Sequence, residues 1–148
     1  MKVTLTRLDD AFHFEARGEG GVSMHFDASP DIGGHGLGVR PMQAVLMALG
    51  GCSAIDILLI LAKQRQTVTA FHMEIDGERQ QGREPALWAQ AHVIFSLEGT
   101  IDPDKAVRAV QLSIDKYCSV SKTLEAAGAT ITWDVRVNGQ TASRNPSA

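Results

Sequence analysis

Residues 44–62 read AVLMALGGCSAIDILLILA. An apolar run of that length either crosses a bilayer or becomes a helix that the rest of the fold must cover. Asp56 argues for the second outcome, because a carboxylate is costly at a bilayer centre. The flanking segments also read as soluble strands. The chain is therefore expected to organise around one long central helix over residues 41–64, with Pro41 in its first turn and no membrane partner. Gly50-Gly51 in the middle lowers helix propensity by roughly 1 kcal/mol each relative to Ala. That loss predicts a close approach by another backbone at this point.

Alternating segments supply the cover. Residues 3–8, 11–16 and 22–27 read as an antiparallel meander, with Phe12 and Phe14, then Val22, Met24 and Phe26, on one side. Residues 68–77 and 87–97 alternate in the same way. Asp102-Pro103 signals a helix start, with Asp102 as N-cap. Residues 119–127 form a second short helix closed by Gly128, and residues 131–137 a last strand. This order is an α+β pattern: antiparallel sheets packed around a buried central helix. At 148 residues it predicts one domain, residues 1–138, with a polar tail over residues 139–148.

Charge and composition exclude several classes. Lys plus Arg is 14 against 17 Asp plus Glu, a net charge of −3. A nucleic-acid partner is not expected from that balance. The N-terminus lacks an apolar signal region, so the cytoplasm is the expected compartment. The loop ASPDIGGHGLGV, residues 28–39, is glycine-dense but has no Walker lysine, so it reads as a crossover rather than a phosphate cradle. The 5 histidines have no metal-ligand spacing. No metal and no cofactor are expected.

Two cysteines and one acid remain. Cys52 sits in the apolar helix, where a bland buried thiol is one reading. Asp56 lies one turn on, on the same face, and needs a partner. Cys118 stands in KYCSVSKTL, just before a helix start, where backbone N–H groups favour a thiolate. There, a capping or exposed cysteine is the bland alternative.

Taken together, GVRPMQ before the helix, LGGC within it and KYCSVSKTL at the start of the last helix resemble the OsmC/Ohr family, the osmotically inducible protein C and organic hydroperoxide resistance proteins. The likeness runs from the first strands to Val137 and is strongest to the less characterised branch with GLGVRP. It implies an intertwined homodimer with sites at the subunit interface. It implies that Cys52 is peroxidatic, attacking an organic hydroperoxide, and that Cys118 resolves the sulfenic acid as a disulfide. A dithiol reductant would then reset the pair.

The family's peroxidases open this helix with Pro-Glu, and the Glu orients an activating Arg. Here Pro41 is followed by Met42. Arg40 is the first candidate for the activating cation and Arg17 the second. Burial and Asp56 would both raise the Cys52 pKa, so this reading needs a cation to offset them. A second class of function stays open: a non-catalytic protein on the same fold, binding a lipid-like apolar molecule or sensing oxidation.

Overall fold

The computed structural model describes residues 1–144, and the chain divides into two compact units, Met1–Val45 and Leu46–Ala148. The first is built on a three-stranded antiparallel sheet of β1 (Thr4–Arg7), β2 (Phe14–Arg17) and β3 (Ser23–Phe26). Leu5, Ala16 and Met24 stand in register on one face, while Thr6, Glu15 and His25 share the other. β2 begins later than its alternation predicts. The Asp9 carboxylate accepts the N–H groups of Ala11 (3.0 Å) and His13 (3.1 Å), and this turn chemistry occupies the backbone that would have extended the strand.

The glycine-dense loop wraps a carboxylate. Asp27 is buried and accepts N–H bonds from Ala28 (2.8 Å), His35 (3.0 Å) and Leu37 (3.0 Å). The Leu37 N–H, outweighing desolvation and joined by those of Ala28 and His35, holds Asp27 below the usual carboxylate range. A side chain at Gly34 would sit 2.0 Å from the Ala28 carbonyl oxygen, so only glycine lets the loop close this tightly.

α1 (Pro41–Lys63) begins in the first unit and continues through the second. The second unit holds a four-stranded sheet in the order β4 (Thr67–Arg79), β5 (Trp88–Thr100), β6 (Thr130–Val137), β7 (Gln140–Arg144). β4–β5 and β6–β7 pair antiparallel, but β5 and β6 pair parallel. The expected antiparallel sheets are found, with this one parallel pair making the second sheet mixed. A parallel pair needs a crossover, and the helices between β5 and β6 provide it. α2 (Pro103–Leu112) starts as expected: Asp102 caps it by accepting the Asp104 N–H at 2.9 Å. A π turn over Ser113–Tyr117 then leads to Cys118 and α3 (Ser119–Ala126). The expected polar tail is likewise a strand through Arg144; residues 145–148 lie outside the described residues.

α1 buries one stripe, Leu49, Ser53, Ile57 and Leu61, at every fourth residue. Gly50 fits beneath Ile75 of β4: a Cβ there would come within 2.8 Å of the Ile75 Cδ1. The close approach predicted for the glycine pair is thus to a side chain, and only at Gly50; Gly51 faces open space. Among the described residues the helix is not covered on all sides. Ile55 is 63% exposed and Leu59 56%, because one sheet can cover one face of a helix and no more. By length and composition alone α1 could cross a membrane, its most apolar 18-residue stretch having a mean hydropathy of 2.3.

The two-cysteine candidate site

Cys52 is half-buried on α1, two turns before the end of the stripe at Leu61. The α1 backbone on its N-terminal side is locally occupied by Ser53, whose hydroxyl donates to the carbonyls of Leu49 (2.8 Å) and Gly50 (3.1 Å). Facing Cys52 is the start of α3. The Ser119 hydroxyl lies 4.0 Å from the Cys52 sulfur. The Val120 N–H, the Cys118 thiol, the Ser119 hydroxyl and the Ser119 N–H all turn toward that sulfur. Burial pushes the Cys52 thiol up, but these hydrogen bonds outweigh it and hold the thiol below its ordinary value.

Cys118 is fully buried at the join of the π turn and α3. Its N–H donates to the Ser113 carbonyl at 2.8 Å, five residues back, which closes the π turn. Its φ of −68° and ψ of 101° are extended, and its sulfur accepts the Ser121 N–H at 3.4 Å, so the cysteine is itself the N-cap of α3. Burial pushes its thiol up to about 12; the Ser121 N–H opposes this and the neighbouring Cys52 adds to it. The two cysteines therefore face one another with opposite tendencies. Cys52 is set to lose a proton and Cys118 to keep one.

Asp56 finds a partner across the same gap. The Ser113 hydroxyl lies 3.3 Å from the Asp56 Oδ2 and 3.4 Å from the Ser53 carbonyl, bridging α1 to the π turn. Arg40 lies in the first unit, where its N–H donates to the Gln43 Oε1 at 3.2 Å. The Ser29 hydroxyl and the Asp31 N–H, with a smaller contribution from the Arg40 charge, hold Asp31 below the usual carboxylate range. Arg17 pairs with Glu15 through two hydrogen bonds of 2.9 Å. Lys116 stands 5.3 Å from the centre of the Tyr117 ring. Among the described residues no three metal-ligating side chains group together.

Sequence reasoning missed Ser119 and Ser113. The signal for Ser119 was its place as the residue after Cys118 at a helix start. Ser113 had none, because its role depends on a π turn that no local pattern announces.

The fold and this pair of thiols define a class, and the comparisons agree with it. The OsmC-like protein family matches residues 34–134, and the chain belongs to that family. The protein YhfA of Escherichia coli strain K12 is 47% identical over 88 residues, which is 59% of this chain and 65% of that protein. The match thus spans just under two thirds of that relative's length. The crystal structure of an OsmC-like protein from Mycoplasma pneumoniae superposes with a TM-score of 0.77 at 16% identity, over 92% of this chain and 95% of that one. An organic hydroperoxide resistance protein from Legionella pneumophila gives 0.65 at 15% identity, over 93% and 98%. At such identities the last two likenesses concern the fold. They match the α+β arrangement of a long helix with antiparallel and mixed sheets.

Proposed function

We infer that this protein reduces organic hydroperoxides with Cys52 as the nucleophile and Cys118 as the resolving thiol. One observation carries the reading: the two thiols face each other at the α1–α3 gap, one favouring its anion and the other its proton. The Cys52 thiolate attacks the O–O bond, giving a Cys52 sulfenic acid and an alkoxide that leaves as the alcohol after taking a proton. Cys118 then loses its proton and attacks the Cys52 sulfur. The sulfenic oxygen leaves as water and the disulfide forms. A dithiol reductant returns both thiols. No bound cofactor is needed for any of these steps.

The working form proposed is a cytoplasmic homodimer. Support comes from Met47, Ile55 and Leu59, large apolar side chains exposed on α1. Arg40 is retained as the proposed activating cation. The helical rise from Pro41 to Cys52 is about 16 Å, beyond the reach of an arginine in the same chain, so the guanidinium would come from a second copy. On this reading Arg40→Ala slows modification of Cys52 several-fold at neutral pH, while Lys116→Ala leaves it nearly unchanged. An effect of Arg17→Ala in place of Arg40→Ala would transfer the role to Arg17.

The deciding experiment is consumption of an organic hydroperoxide with a dithiol present, wild type against Cys52→Ser. Turnover that depends on Cys52 supports the enzyme. Absent turnover in the wild type favours the binding protein, for which one feature speaks. An open apolar cavity of 430 Å³ lies on the β1–β3 sheet, lined by Leu5, Ala16, Val22, Met24 and Phe26 among others. Binding of a fluorescent fatty acid that Met24→Glu abolishes would then be the expected result.

A further inference from the structure

The first turn of α3 carries more hydrogen-bonding side chains than its capping requires. Cys118 already fills the N-cap, with its sulfur on the Ser121 N–H. The Ser121 hydroxyl is committed to the Ile114 carbonyl at 3.3 Å, and the Thr123 hydroxyl to the Ser119 carbonyl at 2.8 Å. Ser119 differs from both. It is the first residue of the helix, it is exposed, and its hydroxyl stands 4.0 Å from the Cys52 sulfur across the α1–α3 gap. It neither caps the helix nor fills the core, and the group it faces is the nucleophile.

We propose that Ser119 helps to activate Cys52: its hydroxyl donates a hydrogen bond to the Cys52 sulfur and stabilises the thiolate, beside the N–H groups of Ser119 and Val120. The assignment rests on Cys52 being the reactive thiol, as under the proposed function, but it does not require peroxide chemistry. A hydroxyl that bonds the charged form of a thiol and not the neutral form lowers its pKa. The direction found for Cys52 agrees. In this protein an activating hydroxyl therefore sits next in sequence to the resolving cysteine, so one short segment supplies both the second thiol and part of the means of ionising the first.

The test is the pH profile of Cys52 alkylation by iodoacetamide in the reduced full-length protein, with Cys52 and Cys118 separated by peptide mapping. Ser119→Ala removes the hydroxyl and should move the midpoint upward by about one unit, slowing alkylation at neutral pH about tenfold. At a pH above both midpoints the two rates should converge. Ser119→Thr keeps the hydroxyl and should restore the wild-type profile. Ser119→Pro removes the N–H as well. Proline fits the first helical position, and Cys118 already holds the extended backbone that must precede it. It should give the highest midpoint of the series. If Ser119→Pro fails to fold, the Ala and Thr pair decides alone. Superposable profiles for wild type and Ser119→Ala overturn the proposal, as does a Thr variant that behaves like Ala. A shifted profile in a protein that turns over no peroxide upholds Ser119 and sinks the peroxidase. Normal turnover with an unshifted profile does the reverse.

Discussion

The chain places its two cysteines in opposite surroundings, and each differs from what its neighbours in sequence suggest. Cys52 lies inside the most apolar segment, next to Gly50-Gly51 and one turn from Asp56. Local reasoning gives it a raised pKa. Cys118 precedes a helix between Lys116 and Lys122, where local reasoning gives a lowered one. In the folded chain the order is inverted. The helix start that should have served Cys118 offers it the Ser121 N–H and a weaker share of the Val120 N–H, and turns the Ser119 and Val120 N–H groups toward Cys52. Cys118 itself is fully buried, so desolvation prevails there. A helix N-terminus stabilises the anion its donors reach, which need not be the one that caps it.

The largest effect that can break this comparison is in labelling. Burial pushes the Cys118 thiol up to about 12, while the donors at the start of α3 hold the Cys52 thiol below its ordinary value. Alkylation of the native protein at neutral pH should modify Cys52 and spare Cys118 by at least a hundredfold, read by peptide mapping. In denaturant the two should react alike. If Cys118 labels within tenfold of Cys52 in the native protein, the inversion is wrong.

Removing the cap tests the other side. Cys118→Ala deletes both the sulfur on the Ser121 N–H and a thiol that turns toward Cys52. The expected loss in urea unfolding is about 1–2 kcal/mol, from the missing cap and the small void. Cys52 alkylation should slow in the same variant. Cys118→Ser keeps a cap and a donor and should recover part of both, while forming no disulfide.

Ser113→Ala sharpens the comparison by touching the gap without touching either thiol. It removes the bridge to Asp56 and the Ser53 carbonyl, at an expected cost of about 1 kcal/mol. The rate of Cys52 alkylation should stay within twofold. A large change in that rate would mean that Asp56, and not the start of α3, governs the thiol.

The smallest effect concerns a control far along the chain. Asp27 is also an anion held by backbone N–H groups, but in a loop and without a helix. Its folded pKa is depressed, chiefly by the Leu37 N–H. Its contribution to stability is therefore present above the ordinary carboxylate range and is lost as pH falls through the depressed value. Acid unfolding of Asp27→Asn should lack this component of the pH dependence, while the pH profile of Cys52 alkylation is unchanged.

Much of the framework was readable from residue order. Pro41 starts α1 where its fixed φ and missing N–H predict, and the helix ends at Lys63. Asp102-Pro103 starts α2 by the same logic with a carboxylate cap. The alternation of Ala91, Val93, Phe95 and Leu97 marks the buried face of β5 because a strand's period of two is a local property. The motif pair around Cys52 and Cys118 identified the family, since spacing within helices is preserved by the fold.

What the sequence could not determine were the relations set by packing between distant segments. The parallel pairing of β5 with β6 and the strand through Arg144 depend on which edge the returning chain meets, and polar residues at that edge carry no alternation to announce it. The π turn over Ser113–Tyr117 shifts the bonding by one residue and aims Ser113 at Asp56. The acidity of each thiol was the last to be settled. A pKa is fixed by desolvation and by which donors arrive within hydrogen-bonding distance, and for Cys52 those donors come from residues 66 to 68 positions away along the chain. The sequence by itself determined where the two thiols and their helices lie along the chain; only the tertiary structure decided which thiol the α3 donors face and which one is shut away from water.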